Sequence, residues 1–427
     1  NFLYMKAYDI QAPSAKTRRT ILVGIRFPSQ RANPIAENLE ELRGLATTAF
    51  YEPVATLVQH LPRIEPKTLL GRGKVEELQK LVQFHEAQAA IFDESLTPAQ
   101  NRNLENLLKC RVFDRSWLIL EIFNEHARTR EAKIQVELAR LKYALPRLTR
   151  MWGHLSRQRG GIGLREVGEK QIQLDRRLIR DNIHKLEQKL KQVDSERRTQ
   201  RKSRQGIFKV ALVGYTNAGK STLMNCLTDA RALVEDKLFA TLDSTIRRIK
   251  NNFPYPTLVS DTVGLIDKLP HDLVASFKST LDEARNADLL LKVVDVSHQN
   301  YKNQMQTAEA LLDEMGLHET PSIIVFNKTD QASEECLNYA SGLYPEAIFV
   351  SGLCEEGLNR LRQVITENYE KRLKPITVEL SYDRFHILEE IRDLAIVIEI
   401  KYAETSITIQ LKVPPNSEKK VVELLRG

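Results

Sequence analysis

The sequence predicts an α/β chain of several units, and three patterns carry that expectation. Short apolar runs alternate with amphipathic stretches over residues 18–125 and again from Ile207 to about Arg372. Such alternation is the mark of strands and helices that build mostly parallel sheets. Between the two stretches the periodicity is wholly helical, and a last segment from Ile376 reads as strand, helix, hairpin and helix. The expected units are therefore 1–127, an N-terminal α/β domain; 128–205, a helical hairpin; 206–372, a second α/β domain; and 373–427, a small α+β domain. With 427 residues, 42% of them hydrophobic, the chain is long enough to bury several cores.

Taken in order, RTILVGI (19–25) reads as a strand, NPIAENLEELRGLATTA as a helix and PVATLVQ as a strand. GKVEELQKLVQFH follows as a helix, AAIFD as a strand and PAQNRNLENLLK as a helix, before CRVFD and SWLILEIFNEHA. From about Arg128 the apolar residues Ile134, Leu138, Leu141 and Leu145 fall at helical spacing, and Pro146 is expected to end that helix. SRQRGGIGLREVGEK (156–170) reads as a loop, and a long helix is expected from about Glu169 to Arg204. In it Ile172, Ile179, Leu186 and Val193 recur every seven residues with Ile183 and Leu190 between them, a coiled-coil seam interrupted by Arg176. Two helices joined this way predict an antiparallel hairpin with a glycine-rich, basic tip.

Charge concentrates there. From Leu141 to Gln205 the chain holds 18 Lys/Arg against 7 Asp/Glu, whereas the whole chain carries only +7. A basic middle between near-neutral flanks suggests a polyanion partner, nucleic acid above all. No apolar run approaches the roughly 18 residues that span a membrane. The N-terminal NFLYMKAYDI lacks the pattern of a signal peptide, and it does not begin with Met. Cys110, Cys226, Cys336 and Cys354 show no metal-ligand spacing and are expected to be reduced, mostly buried thiols of a cytoplasmic protein, with a monomer expected.

The chemistry lies in the second α/β domain. FKVALVGYTNAGKSTLMNCL contains Gly214-x4-Gly219-Lys220-Ser221 directly after a strand and at the opening of a helix, the required setting of a phosphate-binding P-loop. Residues 214–221 (Gly214, Tyr215, Thr216, Asn217, Ala218, Gly219, Lys220, Ser221) would cradle phosphates with backbone N–H groups at a positive helix end. Lys220 would reach the β- and γ-phosphates, and Ser221 would ligate Mg²⁺. SDTVGL puts Asp261 at a strand end, where it can hold Mg²⁺ through a water, with Thr262 and Val263 leading to Gly264, whose N–H can meet the γ-phosphate. SIIVFNKTD supplies Asn327, Lys328, Thr329 and Asp330; an aspartate here accepts both N1–H and the exocyclic amine of guanine, so it selects GTP over ATP. VSGLCEEG offers Ser351, Gly352 and Leu353 to the base. In KLFATLDSTIRR a hydroxyl should complete the Mg²⁺ shell, with Thr241, Ser244 and Thr245 as candidates. GRGK (71–74) lacks P-loop spacing and reads as a turn and helix start.

Together LFATLDST, DTVGL and NKTD on a GYTNAGKS loop resemble the HflX family of translation-associated GTPases. TLLGRGKVEEL, LTPAQNRNLE, VFDRSWLILEIF, ARTREAKIQVELARLKYALPRL and GGIG resemble it too, so the likeness spans essentially the whole chain. The resemblance implies a P-loop GTPase domain behind an α/β N-terminal domain with a long helical hairpin. It implies a protein that binds the large ribosomal subunit and splits 70S ribosomes under stress. It also implies that Thr241 is the Mg²⁺-bound switch threonine and that Phe239, Ala240, Thr241, Leu242 and Asp243 contact nucleotide, so that Lys220, Thr241 and Gly264 form the catalytic set. One departure stands out: where the family has a Gly-Pro-Gly-Glu-Thr-Gln stretch after GGIG, this chain has REVGEKQ (165–171), which keeps Gly168, Glu169 and Gln171 but has Val167 for Pro and Lys170 for Thr.

On the hairpin, Arg157, Arg159, Arg165, Arg176, Arg177 and Arg180 are candidates for rRNA contacts, mostly to phosphate. Leu265 stands where a water-aiming glutamine would be expected, so hydrolysis should be slow alone and stimulated by a partner that orders the switch loops. Asn217 suggests K⁺ as a further activating ion. The alternative function is a GTP-gated large-subunit assembly or rRNA-binding factor without splitting activity. A tRNA-modification GTPase fits less well, since no cysteine is placed for that chemistry.

Overall fold

The computed structural model describes residues 18–26, 35–61, 65–150, 162–202, 207–228, 238–239, 241, 245–249, 253–268, 283–352, 354–415 and 417–426. The N-terminal sheet has four parallel strands in the order β2-β1-β3-β4: β1 (Arg18–Arg26), β2 (Tyr51–His60), β3 (Ala89–Phe92) and β4 (Arg111–Asp114). β1 is buried continuously from Thr20 to Ile25, as expected of a parallel strand covered on both faces. Its odd-numbered side chains Ile21 and Val23 join Val75, Leu78, Phe92 and Leu104 on one face. Leu22 joins Leu42, Leu45, Phe113 and Leu118 on the other. The covering helices are α1 (Ile35–Thr48), α2 (Arg72–Phe84), α3 (Pro98–Leu108) and α4 (Arg115–His126). Thr97 and Gln100 close a reciprocal capping box at the start of α3, with Pro98 at its first position. GRGK is a helix start, as read, with Gly71 as the cap of α2.

Helix α5 (Arg130–Ala144) opens on the Thr129 cap and passes into a 3-10 turn, Leu145–Arg150, that accommodates Pro146. Its residues Ile134, Leu138 and Leu141 pack on Ile179, Leu186, Ile183 and Leu190 of α6 (Ile162–Lys202), the middle of the expected seam; Val193 is outside this cluster, and the Ile172 side chain lies outside the described residues. The expected loop is shorter than read: α6 already begins at Ile162, so residues 162–170 are helical rather than loop. Val167 has a backbone N–H and no ring, so the helix can pass where a proline would have stopped it. Arg147 ties the base of this unit to the sheet, donating to Leu96 O at 2.7 Å and Asp114 Oδ2 at 3.3 Å, while the Tyr143 hydroxyl donates to Asp114 Oδ1 at 3.0 Å.

A six-stranded sheet follows in the order β10-β9-β8-β5-β7-β6. It comprises β5 (Phe208–Gly214), β6 (Thr245–Arg248), β7 (Thr257–Asp261), β8 (Leu289–Asp295), β9 (Ser322–Asn327) and β10 (Ile348–Phe349). All pairs are parallel except β6 with β7. Among its helices are α7 (Lys220–Leu227), α8 (Tyr301–Glu314), α9 (Glu334–Leu343) and α10 (Glu355–Glu370). The last unit is an antiparallel sheet, β11 (Lys374–Ser381), β13 (Ser406–Val413) and β12 (Ile396–Tyr402), with helices α11 (Ile387–Leu394) and α12 (Glu418–Arg426). Ile407, Ile409, Leu411 and Val413 alternate inward along β13 and meet Leu388, Ile391 and Val421.

The thiols depart from expectation. Cys110, Cys226 and Cys336 are half-buried and Cys354 is exposed. Burial pushes the Cys110 thiol up to about 11. Among the described residues no helix is long and apolar enough to cross a membrane.

Candidate functional site

The site is assembled at the carboxyl ends of β5, β7 and β9, where α/β sheets place their ligands. β5 ends at Gly214, and α7 starts at Lys220. Both flanking glycines are fixed by close approach: a Cβ on Gly214 would lie 2.1 Å from Val293 O, and one on Gly219, at φ +86°, would lie 2.2 Å from Asn327 Nδ2. Asn217, at φ +60°, is exposed in the loop between them. Ala218 is buried, and its carbonyl accepts from Asn327 Nδ2 at 2.9 Å, so the NKTD segment braces the loop.

Lys220 is buried, and its Nζ donates to Gly214 O at 3.1 Å and Tyr215 O at 2.8 Å. Burial lowers its pKa to about 8, with Asp261 opposing the shift. The Ser221 hydroxyl donates to Asp261 Oδ2 at 2.5 Å and lies 2.8 Å from Thr241 Oγ1. Asp261 Oδ1 is buried and has no hydrogen-bond partner among the described residues. Burial pushes the Asp261 carboxyl up, with Lys220, Ser221 and Thr241 pulling it back. Two hydroxyls and a carboxylate with an unused oxygen form a hard donor set that fits Mg²⁺. Of the three switch hydroxyls left open by spacing, Thr241 meets this set, whereas Thr245 starts β6 and Ser244 lies outside the described residues.

In DTVGL the Thr262 hydroxyl donates to Leu212 O at 2.7 Å, a structural bond within the sheet. Val263 sits in the apolar cluster that continues into the N-terminal domain. Gly264 lies against the P-loop: a Cβ there would be 2.7 Å from Thr216 Cγ2 and 3.3 Å from Lys220 Nζ. The Leu265 side chain is 4% exposed and packs with Ala211, Val213, Ala284, Leu290 and Leu312. Its backbone bonds the P-loop on both sides, Leu265 N–H to Gly214 O at 3.0 Å and Thr216 N–H to Leu265 O at 2.8 Å. Leu265 is thus a core residue whose backbone is at the site.

On the base side, Lys328 takes φ +60° and pairs its Nζ with Asp295 Oδ2 at 2.7 Å. Thr329 Oγ1 donates to Val350 O at 3.2 Å, and the Ser351 hydroxyl donates to Asp330 Oδ1 at 2.7 Å, orienting that carboxylate. Gly352 abuts the P-loop helix, since a Cβ there would be 2.9 Å from Thr222 Cγ2. Ala240, Leu242, Asp243 and Leu353 lie outside the described residues, as do Arg157 and Arg159. Arg165 falls within α6; Arg176 is half-buried, while Arg177 and Arg180 are exposed.

Two expected nucleotide contacts turn their side chains elsewhere. Phe239 is 2% exposed and meets Phe123 edge-on at 4.7 Å. The Tyr215 hydroxyl donates to Glu41 Oε1 at 2.5 Å, so its side chain reaches the N-terminal domain. Sequence reasoning missed Glu41, Asp93, Arg115 and Lys268, which gather at this junction. The available signal was the placing of Asp93 and Arg115 just after β3 and β4, at the carboxyl edge of a parallel sheet.

Comparison with known proteins agrees with this geometry. Residues 36–124 match the model of a GTP-binding GTPase N-terminal region, 126–204 a GTP-binding GTPase middle region, and 209–328 a 50S ribosome-binding GTPase. The GTPase HflX of Flavobacterium psychrophilum is 48% identical over 73% of this chain and 75% of its own length. That of Magnetococcus marinus is 42% identical over 95% and 94%, and that of Escherichia coli is 39% identical over 93% of each. With likeness on this scale over most of its length, the chain belongs to the GTPase HflX family and hydrolyses GTP.

Proposed function

We propose that this GTPase binds the large ribosomal subunit in its GTP form, drives 70S ribosomes apart, and leaves after hydrolysis. The observation that carries the reading is the basic unit of α5 and α6, a 41-residue helix that presents Arg177 and Arg180 to solvent. A long positive projection of this kind suits insertion among rRNA phosphates, where contacts are largely sequence-neutral. The protein would act in the cytoplasm as a monomer, under stress.

In this reading Ser221 and Thr241 hold Mg²⁺ and Asp261 reaches it through water, supported by their convergence and the unpartnered Asp261 oxygen. Such an ion neutralises charge between the β- and γ-phosphates. The P-loop N–H groups and Lys220 stabilise charge as it develops, and Gly264 donates to the γ-phosphate. Asp330, held by Ser351, reads guanine. Asn217 would help place K⁺ beside the phosphates, and equal rates in K⁺ and Na⁺ would remove that part.

The test is GTP turnover by the chain alone and with purified large subunits, with 70S light scattering followed in the same reaction. Stimulated turnover with loss of intact ribosomes supports the reading. Binding without stimulation or splitting would move the assignment to a GTP-gated assembly factor.

A further inference from the structure

Five side chains from five segments of the chain close into a ring at the junction of the N-terminal and GTPase domains. The Tyr215 hydroxyl, on the P-loop, donates to Glu41 Oε1 at 2.5 Å and accepts from Asp267 N–H at 2.8 Å. The other oxygen of Glu41, on α1, takes Arg115 Nη2. Arg115, at the start of α4, is 2% exposed and donates from Nη1 to Asp93 Oδ1 at 2.8 Å. The other oxygen of Asp93, at the end of β3, takes Lys268, which also donates to Glu94 Oε1 at 2.7 Å. Lys268 follows Asp267 in the chain, so the circuit returns to Tyr215.

The ring sits where the N-terminal sheet would be expected to take a ligand, outside the carboxyl ends of its strands. Here that crevice receives the segment after DTVGL. Apolar contacts flank it, with Val263, Ile266 and Phe239 buried among Leu42, Leu45 and Phe123. Burial would lower the Lys268 pKa, but Asp93 and Glu94 outweigh it and keep the ammonium charged. Lys268 also adopts φ +55°, a left-handed conformation unfavourable for a lysine that persists only where surroundings hold it.

The switch segment is therefore pinned twice. Leu265 is bonded to the P-loop backbone, and three residues on, Lys268 is held by the N-terminal domain. Gly264 immediately precedes the first pin and lies against Lys220. With a leucine in place of a water-aiming glutamine, hydrolysis depends on how well the backbone at Gly264 is preorganised.

We propose that Lys268, Glu41, Asp93 and Arg115 are positioning residues for GTP hydrolysis, contributed largely by the N-terminal domain, that fix the switch segment over the P-loop. The proposal rests on the reading of Gly264 as a γ-phosphate donor. Loosening the ring lowers the chemical step without weakening nucleotide binding, because none of the four residues lies on the phosphate cradle or the base side.

The experiment uses the full chain and compares K268M, K268R, E41Q, the K268M/E41Q double variant and G264A. Single-turnover hydrolysis, KM for GTP, affinity for a fluorescent GDP and the melting temperature are read for each. The expected result is a fall of at least fivefold in rate for K268M and E41Q, with KM and GDP affinity within twofold of the parent. K268R recovers at least half of the rate, and the double variant is no worse than twofold below the weaker single one, since both break one circuit. A rate within twofold of the parent, a rise in rate, a loss shared equally by K268R, or a parallel loss of GDP affinity would each overturn the proposal. If G264A keeps its rate, the reading of Gly264 has failed; if G264A loses its rate while K268M does not, only the ring's role has failed. Lys268 is the outermost member, its side chain 25% exposed, so its removal is least disruptive to the fold. Should K268M melt near the assay temperature, E94Q removes one negative charge beside Lys268 alone; a fall of two- to threefold supports the proposal and an unchanged rate overturns it.

Discussion

Replacing Leu265 with glutamine tests whether the missing water-aiming side chain can simply be restored. The Leu265 side chain is 4% exposed and lies in a wholly apolar cluster of Ala211, Val213, Ala284, Leu290 and Leu312. Leu265→Gln forfeits the burial of a leucine, about 1.5–3 kcal/mol. It also drives an amide out of water, at roughly 1–3 kcal/mol by mutational scales. The sum, about 2.5–6 kcal/mol, would lower the melting temperature by about 10 °C at the few degrees per kcal/mol typical of a domain of this size. Thermal melting followed by circular dichroism measures the loss, and GTP turnover at 20 °C, well below the transition, measures the chemistry. The expected outcome is a destabilised protein whose turnover does not exceed the parent's. A melting temperature within about 2 °C of the parent together with faster turnover would refute the reasoning, because it would put the residue-265 side chain at the phosphate and not in the core.

Other outcomes follow from the same geometry. Gly264→Ala places a methyl 2.9 Å from the Thr216 Cα, a contact that backbone cannot yield. The switch segment must then lift, breaking two backbone bonds at about 1 kcal/mol each, so single-turnover hydrolysis should fall roughly tenfold or more while GDP affinity holds. Arg177→Ala with Arg180→Ala should weaken large-subunit binding and make the salt slope of log K shallower by about 1.5; an unchanged slope would remove both arginines from the interface. At pH 8 iodoacetamide should label exposed Cys354 well before Cys110, whose thiol is held up near 11. Since a raised thiol pKa favours the neutral folded form, its contribution to stability is present below pH 9 and fades as pH rises through 11, which urea titrations across that range would register.

The nucleotide site was legible because its chemistry is written in short spacings. Gly214, Gly219, Lys220 and Ser221 sit in one turn, and Asn327 and Asp330 lie three residues apart, so local sequence carries nearly the whole geometry. The strands of both parallel sheets were legible for a similar reason, as continuous apolar runs between turn signals. The start of α6 was not: glycines at 160, 161, 163 and 168 argue for a loop, yet the residues between them keep enough helix-forming character to extend the helix to Ile162. The choice of Thr241 among neighbouring hydroxyls needed the fold, because a spacing of 20 residues from Ser221 says nothing of which oxygen returns to it. The ring of Tyr215, Glu41, Arg115, Asp93 and Lys268 was not legible because its partners are up to 175 residues apart, and the places of Tyr215 in the phosphate loop and of Asp93 and Arg115 after strands say nothing of which residues they meet.

The length of α6 has a mechanical consequence. Its 41 residues span about 60 Å, and among the described residues the seam with α5 grips it around Ile179, Ile183, Leu186 and Leu190. The arm from Ile162 to the first grip is about 25 Å long and that from the last grip to Lys202 about 18 Å, so the seam is a fulcrum placed nearer the β5 end. A swing of about 5° moves the far end by roughly 2 Å and the β5 end by less, with force amplified in the same proportion. The short arm leads within a few residues to the strand that ends in the phosphate loop. A push at the tip would thus reach the start of β5 geared down in distance and up in force, one strand length from the loop that begins at Gly214.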